Sequence, residues 1–121
     1  VDNVETWKDI LNRGLEEYAR REPEQFRHLV RRGIPSCIRL QVWKAAVRYA
    51  DRKDELSAAF RRCKGSRSDD SEIIIAADMA RTFKHIEDFD ECLRQRVTNV
   101  LLTYACFNHE VGYCQGMNFV G

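Results

Sequence analysis

The sequence predicts an all-α fold. Three observations carry that prediction. Apolar residues recur at spacings of three and four along most of the chain. Proline and glycine fall where helices would start and stop. A run of three β-branched residues occurs only at Ile73–Ile75, with no second such segment to pair with as a strand.

The elements follow in order. Trp7, Ile10, Leu11, Leu15 and Tyr18 form the stripe of one amphipathic helix. Pro23 suits the first turn of a second helix carrying Phe26, Leu29 and Val30, which Gly33 ends and Pro35 prevents from continuing. Ser36 is the expected N-cap of a third helix bearing Ile38, Val42, Ala45, Ala46 and Tyr49. Leu56, Ala59 and Phe60 mark a short fourth. Residues 61–71, RRCKGSRSDDS, are polar and rich in Ser, and are expected to form a mobile surface loop. Ile73–Ile75 read as a buried extended segment or the edge of a helix. Asp88, with Glu91 three residues on, reads as a capping box for a longer helix. That helix presents Leu93, Val97, Val100, Leu101 and Tyr104 and should stop near Asn108.

Composition narrows the function classes. With 44% hydrophobic and 32% charged residues in 121, the chain reads as one soluble globular domain. No stretch approaches the roughly 18 apolar residues of a membrane-spanning helix. Five cysteines, an odd number without a C-x-x-C pair, argue for reduced thiols in a cytoplasmic protein rather than a disulfide framework or zinc site. The net charge of +1 divides into +5 over residues 1–64 and −4 over residues 65–121. That asymmetry is too mild to imply nucleic acid. Arg27, Arg31, Arg32, Arg39 and Arg48 interleave with apolar positions, as the solvated face of a helix does.

Three short motifs carry chemistry. Arg39-x-x-x-Trp43 places two side chains on one helix face, where they form a packing pair or where Arg39 orients a neighbouring loop. In Ile75-x-x-Asp78-x-x-Arg81, Ile75 can anchor, Asp78 can hold a backbone amide or Arg39, and Arg81 can project a rigid five-donor fork suited to phosphate oxygens. Taken alone, Asp78 and Arg81 read first as a surface ion pair. The stretch Gly112–Gly121, GYCQGMNFVG, sets Tyr113-x-Gln115 between Gly112 and Gly116. Gln115 offers a donor and an acceptor that do not titrate, so it can orient a water without acting as a base, or it can cap a helix start. Cys114 beside His109 lacks a third orienting group and reads as a small buried residue, not a nucleophile.

Together, R-x-x-x-W, I-x-x-D-x-x-R and Y-x-Q resemble the three signature motifs of the TBC domain, the Rab GTPase-activating domain. The segments LVRRGIPSCIRLQVWKAAV, DMARTF and NHEVGYCQGMNFV resemble the text around them, so the likeness runs from about Phe26 to Gly121. The resemblance implies an orthogonal, irregular helical bundle, the N-terminal portion of that domain, and a GTPase activator that stimulates its partner's own hydrolysis, with no substrate turnover of its own. Arg81 would be the arginine finger and Gln115 a glutamine finger supplied in trans. Arg39, Trp43, Asp78, Tyr113, Gly112 and Gly116 would be the scaffold that holds them. The implied partner is a GTP-bound Rab-family GTPase that carries the GTP and Mg²⁺, so no cofactor and no metal are expected on this chain. The implied location is cytoplasmic, peripheral to endomembranes through partners, in vesicle trafficking. The family's domain runs longer, in two helical halves, so residues 1–121 are expected to be one partial domain ending after the glutamine-finger motif. An exposed apolar face on the Leu93–Tyr104 helix and around Phe119, and hence self-association, follows from that expectation. The alternative function is a non-catalytic GTPase-binding or scaffolding module.

Overall fold

The computed structural model describes residues 3–66 and 69–121, in two compact units that divide after Lys53. Among the described residues there are seven α-helices, two 3₁₀ turns and no strand, as an all-α reading requires. None of the helices is long and apolar enough to cross a membrane.

The N-terminal unit packs α1 (Val4–Arg13), α2 (Leu15–Arg21), α3 (Pro23–Arg32) and α4 (Arg39–Ala46) around Trp7, Ile10, Leu15, Phe26, Leu29, Ile34, Val42 and Ala45. The stripe expected on one first helix is shared between two. Gly14, at φ +103°, turns the chain in a region that L residues rarely enter, so the stripe bends onto a second axis. Trp7 is buried edge-on to Phe26, with ring centroids 6.4 Å apart, and its indole N–H donates to the Gly33 carbonyl at 3.1 Å. Pro23 and Gly33 bound α3 as expected. Ser36 is not an N-cap: it opens a 3₁₀ turn, Ser36–Ile38, closed by Ile38 N–H on the Pro35 carbonyl, and α4 starts only at Arg39. Tyr49 does not belong to α4 either, because Arg48 adopts φ +55° and ends the run.

Tyr49 instead opens α5 (Tyr49–Cys63), which is longer than the short helix expected and runs from one unit into the other. The expected 61–71 loop is largely helical: 61–63 finish α5 and 69–71 begin α6 (Asp69–Ala80). Lys64–Ser66 form the connecting turn, while Arg67 and Ser68 lie outside the described residues.

In the C-terminal unit, α6 packs against α7 (Glu91–Phe107). Ile73–Ile75 sit inside α6, neither extended nor at an edge. The helical turn points Ile75 inward at 0% exposure and leaves Ile73 and Ile74 on the surface. Ile75, Met79, Val97, Leu101 and Leu102 form the core here, with Phe89, Tyr113 and Met117 against it. The cap of α7 is Asp90 rather than Asp88; its Oδ1 accepts from Leu93 N–H at 2.8 Å. The helix ends at Asn108 as expected, but its buried face is Val97, Leu101, Leu102, Thr103 and Ala105, with Leu93 and Val100 exposed.

Candidate functional site

The second and third motifs meet at the C-terminal end of α6. Asp78 is 6% exposed, and each carboxylate oxygen has its own donor. Arg81 Nη2 donates to Oδ1 at 2.7 Å, and the Tyr113 hydroxyl donates to Oδ2 at 2.6 Å. The pairing of Asp78 with Arg81 therefore belongs to a three-residue contact that spans 35 positions of sequence. The Arg81 side chain itself is 67% exposed, so one edge of its guanidinium is tethered and the remaining donors face outward.

The turn that carries Arg81 is fastened from below. Arg81 and Thr82 close it with N–H bonds to the Asp78 and Met79 carbonyls, both at 3.1 Å. Arg94 of α7 donates to the Met79 carbonyl at 2.5 Å and the Thr82 carbonyl at 2.7 Å, with its guanidinium 4.8 Å from the centre of the Phe89 ring. A helix end leaves its last carbonyls without intrahelical partners, and a cation there satisfies them and complements the dipole. Phe83 then leaves the helix at φ +49° and meets Phe89 and Phe119 edge-on, each at 5.3 Å.

Beyond α7, Gly112 at φ +60° and Gly116 at φ +108° make the reversals that no β-carbon-bearing residue adopts easily. Gly116 leads into a 3₁₀ turn, Met117–Phe119. Asn118 is buried; its Oδ1 accepts from Gly116 N–H at 2.9 Å and its Nδ2 donates to Thr82 Oγ1 at 2.8 Å. The segment between Tyr113 and Asn118 is thus held to the end of α6 at both ends. Gln115 lies between the two anchors, exposed, with no side-chain hydrogen bond among the described residues. It caps no helix. Met117 packs partly against the core, while Phe119 stays largely outside it. Cys114, expected to be buried, is exposed.

The electrostatics match this geometry. The Tyr113 hydroxyl, and then the Arg81 guanidinium, hold the Asp78 carboxyl below the usual carboxylate range. Burial, reinforced by donation to the Asp78 carboxylate, pushes the Tyr113 phenol well above its ordinary value. Near neutral pH, Asp78 is a charged acceptor and Tyr113 a committed donor.

Arg39 and Trp43 lie in the N-terminal unit. Arg39 Nη2 donates to the Ile34 carbonyl at 3.2 Å and so holds the loop between α3 and α4, one of the two readings its position allows. Trp43 is 54% exposed, which removes it from the core of that unit. Thr82, Arg94 and Asn118 are site residues that sequence reasoning missed. The available signal was a lone amide inside the apolar run Met117–Val120. No cluster of three metal-ligating side chains occurs among the described residues.

The family model for the Rab-GTPase-TBC domain matches residues 36–121, the greater part of the chain and all three motifs. Among curated proteins, human growth hormone-regulated TBC protein 1 is 36% identical over 96 residues, covering 75% of this chain and 29% of that protein. The Drosophila melanogaster ecotropic viral integration site 5 ortholog is 33% identical over 118 residues, covering 95% of this chain and 14% of its own length. The human ecotropic viral integration site 5 protein homolog is 32% identical over 119 residues, again spanning 14% of that protein. The chain therefore spans less than a third of each of these relatives. No solved structure gives a significant match. The fold, the three motifs in order and the family match agree: the chain belongs to the Rab-GTPase-TBC domain family.

Proposed function

We propose that this chain is the part of a Rab GTPase-activating protein that supplies both catalytic side chains, Arg81 as an arginine finger and Gln115 as a glutamine finger. The observation that carries the reading is their placement: two exposed donor side chains on one hydrogen-bonded frame, with Asp78 and Tyr113 joining the segments beneath them. Phosphoryl transfer spreads negative charge over the γ-phosphoryl oxygens and the leaving bridge while a water is held in line. A guanidinium fork answers the first demand, and an amide that both donates and accepts answers the second. In the free protein the exposed Arg81 rests on the buried Asp78 carboxylate by one edge of its guanidinium, which leaves its other donors for phosphate oxygens. Gly112 and Gly116 shape the loop behind Gln115, and Arg39 and Trp43 serve as scaffold within the N-terminal unit, where Arg39 holds the Ile34 carbonyl. The nucleotide and Mg²⁺ come from the partner GTPase in its GTP-bound state, so the chain needs no cofactor of its own. A Rab partner would place the protein at the cytoplasmic face of endomembranes, in vesicle trafficking.

Single-turnover GTP hydrolysis by a panel of GTP-loaded Rab GTPases tests the reading. One or more should be stimulated, by a factor on the order of 10³–10⁵ for a complete finger mechanism. Arg81→Ala and Gln115→Ala should each remove most of that while leaving the helical circular dichroism unchanged. Unaltered rates in both variants would refute the assignment. Retention of a GTP-bound Rab without any change in hydrolysis would mark a binding module instead.

A further inference from the structure

Resting on that finger reading, we infer that Thr82 and Asn118 are positioning residues that set Gln115 against Arg81. Tyr113 alone would leave Gln115 on a hinge, because Gly112 and Gly116 both take backbone angles that glycine populates freely in either hand. The second anchor removes that freedom. Gly116 N–H donates to Asn118 Oδ1 at 2.9 Å, Asn118 Nδ2 donates to Thr82 Oγ1 at 2.8 Å, and Thr82 Oγ1 donates to the Asp78 carbonyl at 2.7 Å. Asp78 also receives Tyr113, so the chain of bonds closes into a ring that starts and ends on one residue of α6. Arg81 precedes Thr82 in sequence and Gln115 precedes Gly116, so each finger sits one residue from a member of this ring.

The ring has one polarity. A backbone N–H can only donate, so Gly116 dictates that Asn118 presents its oxygen there and its NH₂ to Thr82. The hydroxyl hydrogen of Thr82 is then free for the Asp78 carbonyl. A reversed amide would set a donor against a donor at Gly116. Both Thr82 and Asn118 are buried, with water largely excluded from substituting for a missing partner. A side chain one ångström out of place can cost roughly a hundredfold in rate, so the catalytic effect of the ring is placement.

Two substitutions at one position separate placement from packing. Thr82→Val keeps the shape and removes the hydroxyl; Thr82→Ser keeps the hydroxyl and removes a methyl group. With the GTP-loaded Rab that wild type stimulates most, Thr82→Val should lower kcat by about ten- to a hundredfold. KM for the GTPase should stay within about twofold. Thr82→Ser should restore most of the rate, and Thr82→Val added to Gln115→Ala should have little further effect. A Thr82→Ser variant as impaired as Thr82→Val, or losses that simply multiply with Gln115→Ala, would overturn the inference.

If wild type stimulates no Rab, the finger reading fails separately, and the ring is still read by amide hydrogen exchange at Gly116. Exchange should quicken by about tenfold in Thr82→Val and stay near wild type in Thr82→Ser. Equal protection in all three proteins would overturn the positioning role whatever the activity.

Discussion

Ile75 is the residue whose removal should most plainly loosen the helix that carries Asp78 and Arg81. It is fully buried between Met79 and the Val97–Leu101–Leu102 face of α7. Ile75→Ala deletes three carbon atoms, about 2.4 kcal/mol of transfer free energy at ~0.8 kcal/mol per methylene. A residual cavity term raises the expected cost to about 3 kcal/mol, inside the usual range for such truncations. Two compact units make a single unfolding midpoint a poor reporter, so the measurement should be local. Amide hydrogen exchange along Val97–Leu102 reads the opening of this core directly. At tenfold per 1.4 kcal/mol, exchange there should quicken on the order of a hundredfold. Ile75→Val, at about 1 kcal/mol, should quicken it by roughly fivefold. An Ile75→Ala protein whose α7 amides exchange less than about fivefold faster would refute the packing of α6 on α7 described above.

Two further outcomes follow from the site. Asp78 titrates below the ordinary carboxylate range in the folded protein, so the stability it contributes is present above the unfolded value near pH 4 and is lost as pH falls through the lower folded value. Tyr113→Phe removes the leading cause; in a carboxyl carbon NMR titration the Asp78 midpoint should move upward, and an unmoved midpoint would contradict the 2.6 Å contact. Gly116→Ala meets no atom within 4 Å but must hold a left-handed backbone, a strain of roughly 1–2 kcal/mol. Stimulation of the Rab should drop while helical circular dichroism is retained, and full stimulation would show that Gly116 needs no such conformation.

Much of the fold is legible in the sequence because helical periodicity is a local signal. Trp7, Ile10, Leu15, Phe26 and Leu29 reach the core their spacing implies. Where local signals compete, sequence reasoning goes astray. Asp88 and Asp90 both precede the same apolar stripe, and only packing decides that Asp90 caps α7. Three isoleucines in a row satisfy a strand or a helix equally, and the contact of Ile75 alone with α7 decides for the helix. Gly14 inside a long stripe breaks the helix instead of being tolerated there.

The site was legible as three motifs but not as a frame. Asp78 with Arg81 lies within one helical turn and is readable as a pair. Tyr113 with Asp78, Asn118 with Thr82 and Arg94 with the end of α6 join residues 12 to 36 positions apart, which no local pattern encodes. The family resemblance implied that Asp78 and Tyr113 belong to one scaffold; the identity of the bonds between the segments required the folded chain.

The central claim is that Arg81 and Gln115 recognise the transition state of GTP hydrolysis. Its most direct measurement is the affinity of the protein for a Rab GTPase carrying GDP with aluminium fluoride, a mimic of the transferring phosphoryl group, against the same Rab carrying GDP alone. Transition-state analogues bind on the order of 10²-fold tighter or more when the site is complementary to the reacting geometry. The account predicts at least that preference for the aluminium fluoride form in wild type, and its collapse in Arg81→Ala and in Gln115→Ala. Equal affinity for the two forms, or a preference that survives both substitutions, would contradict it.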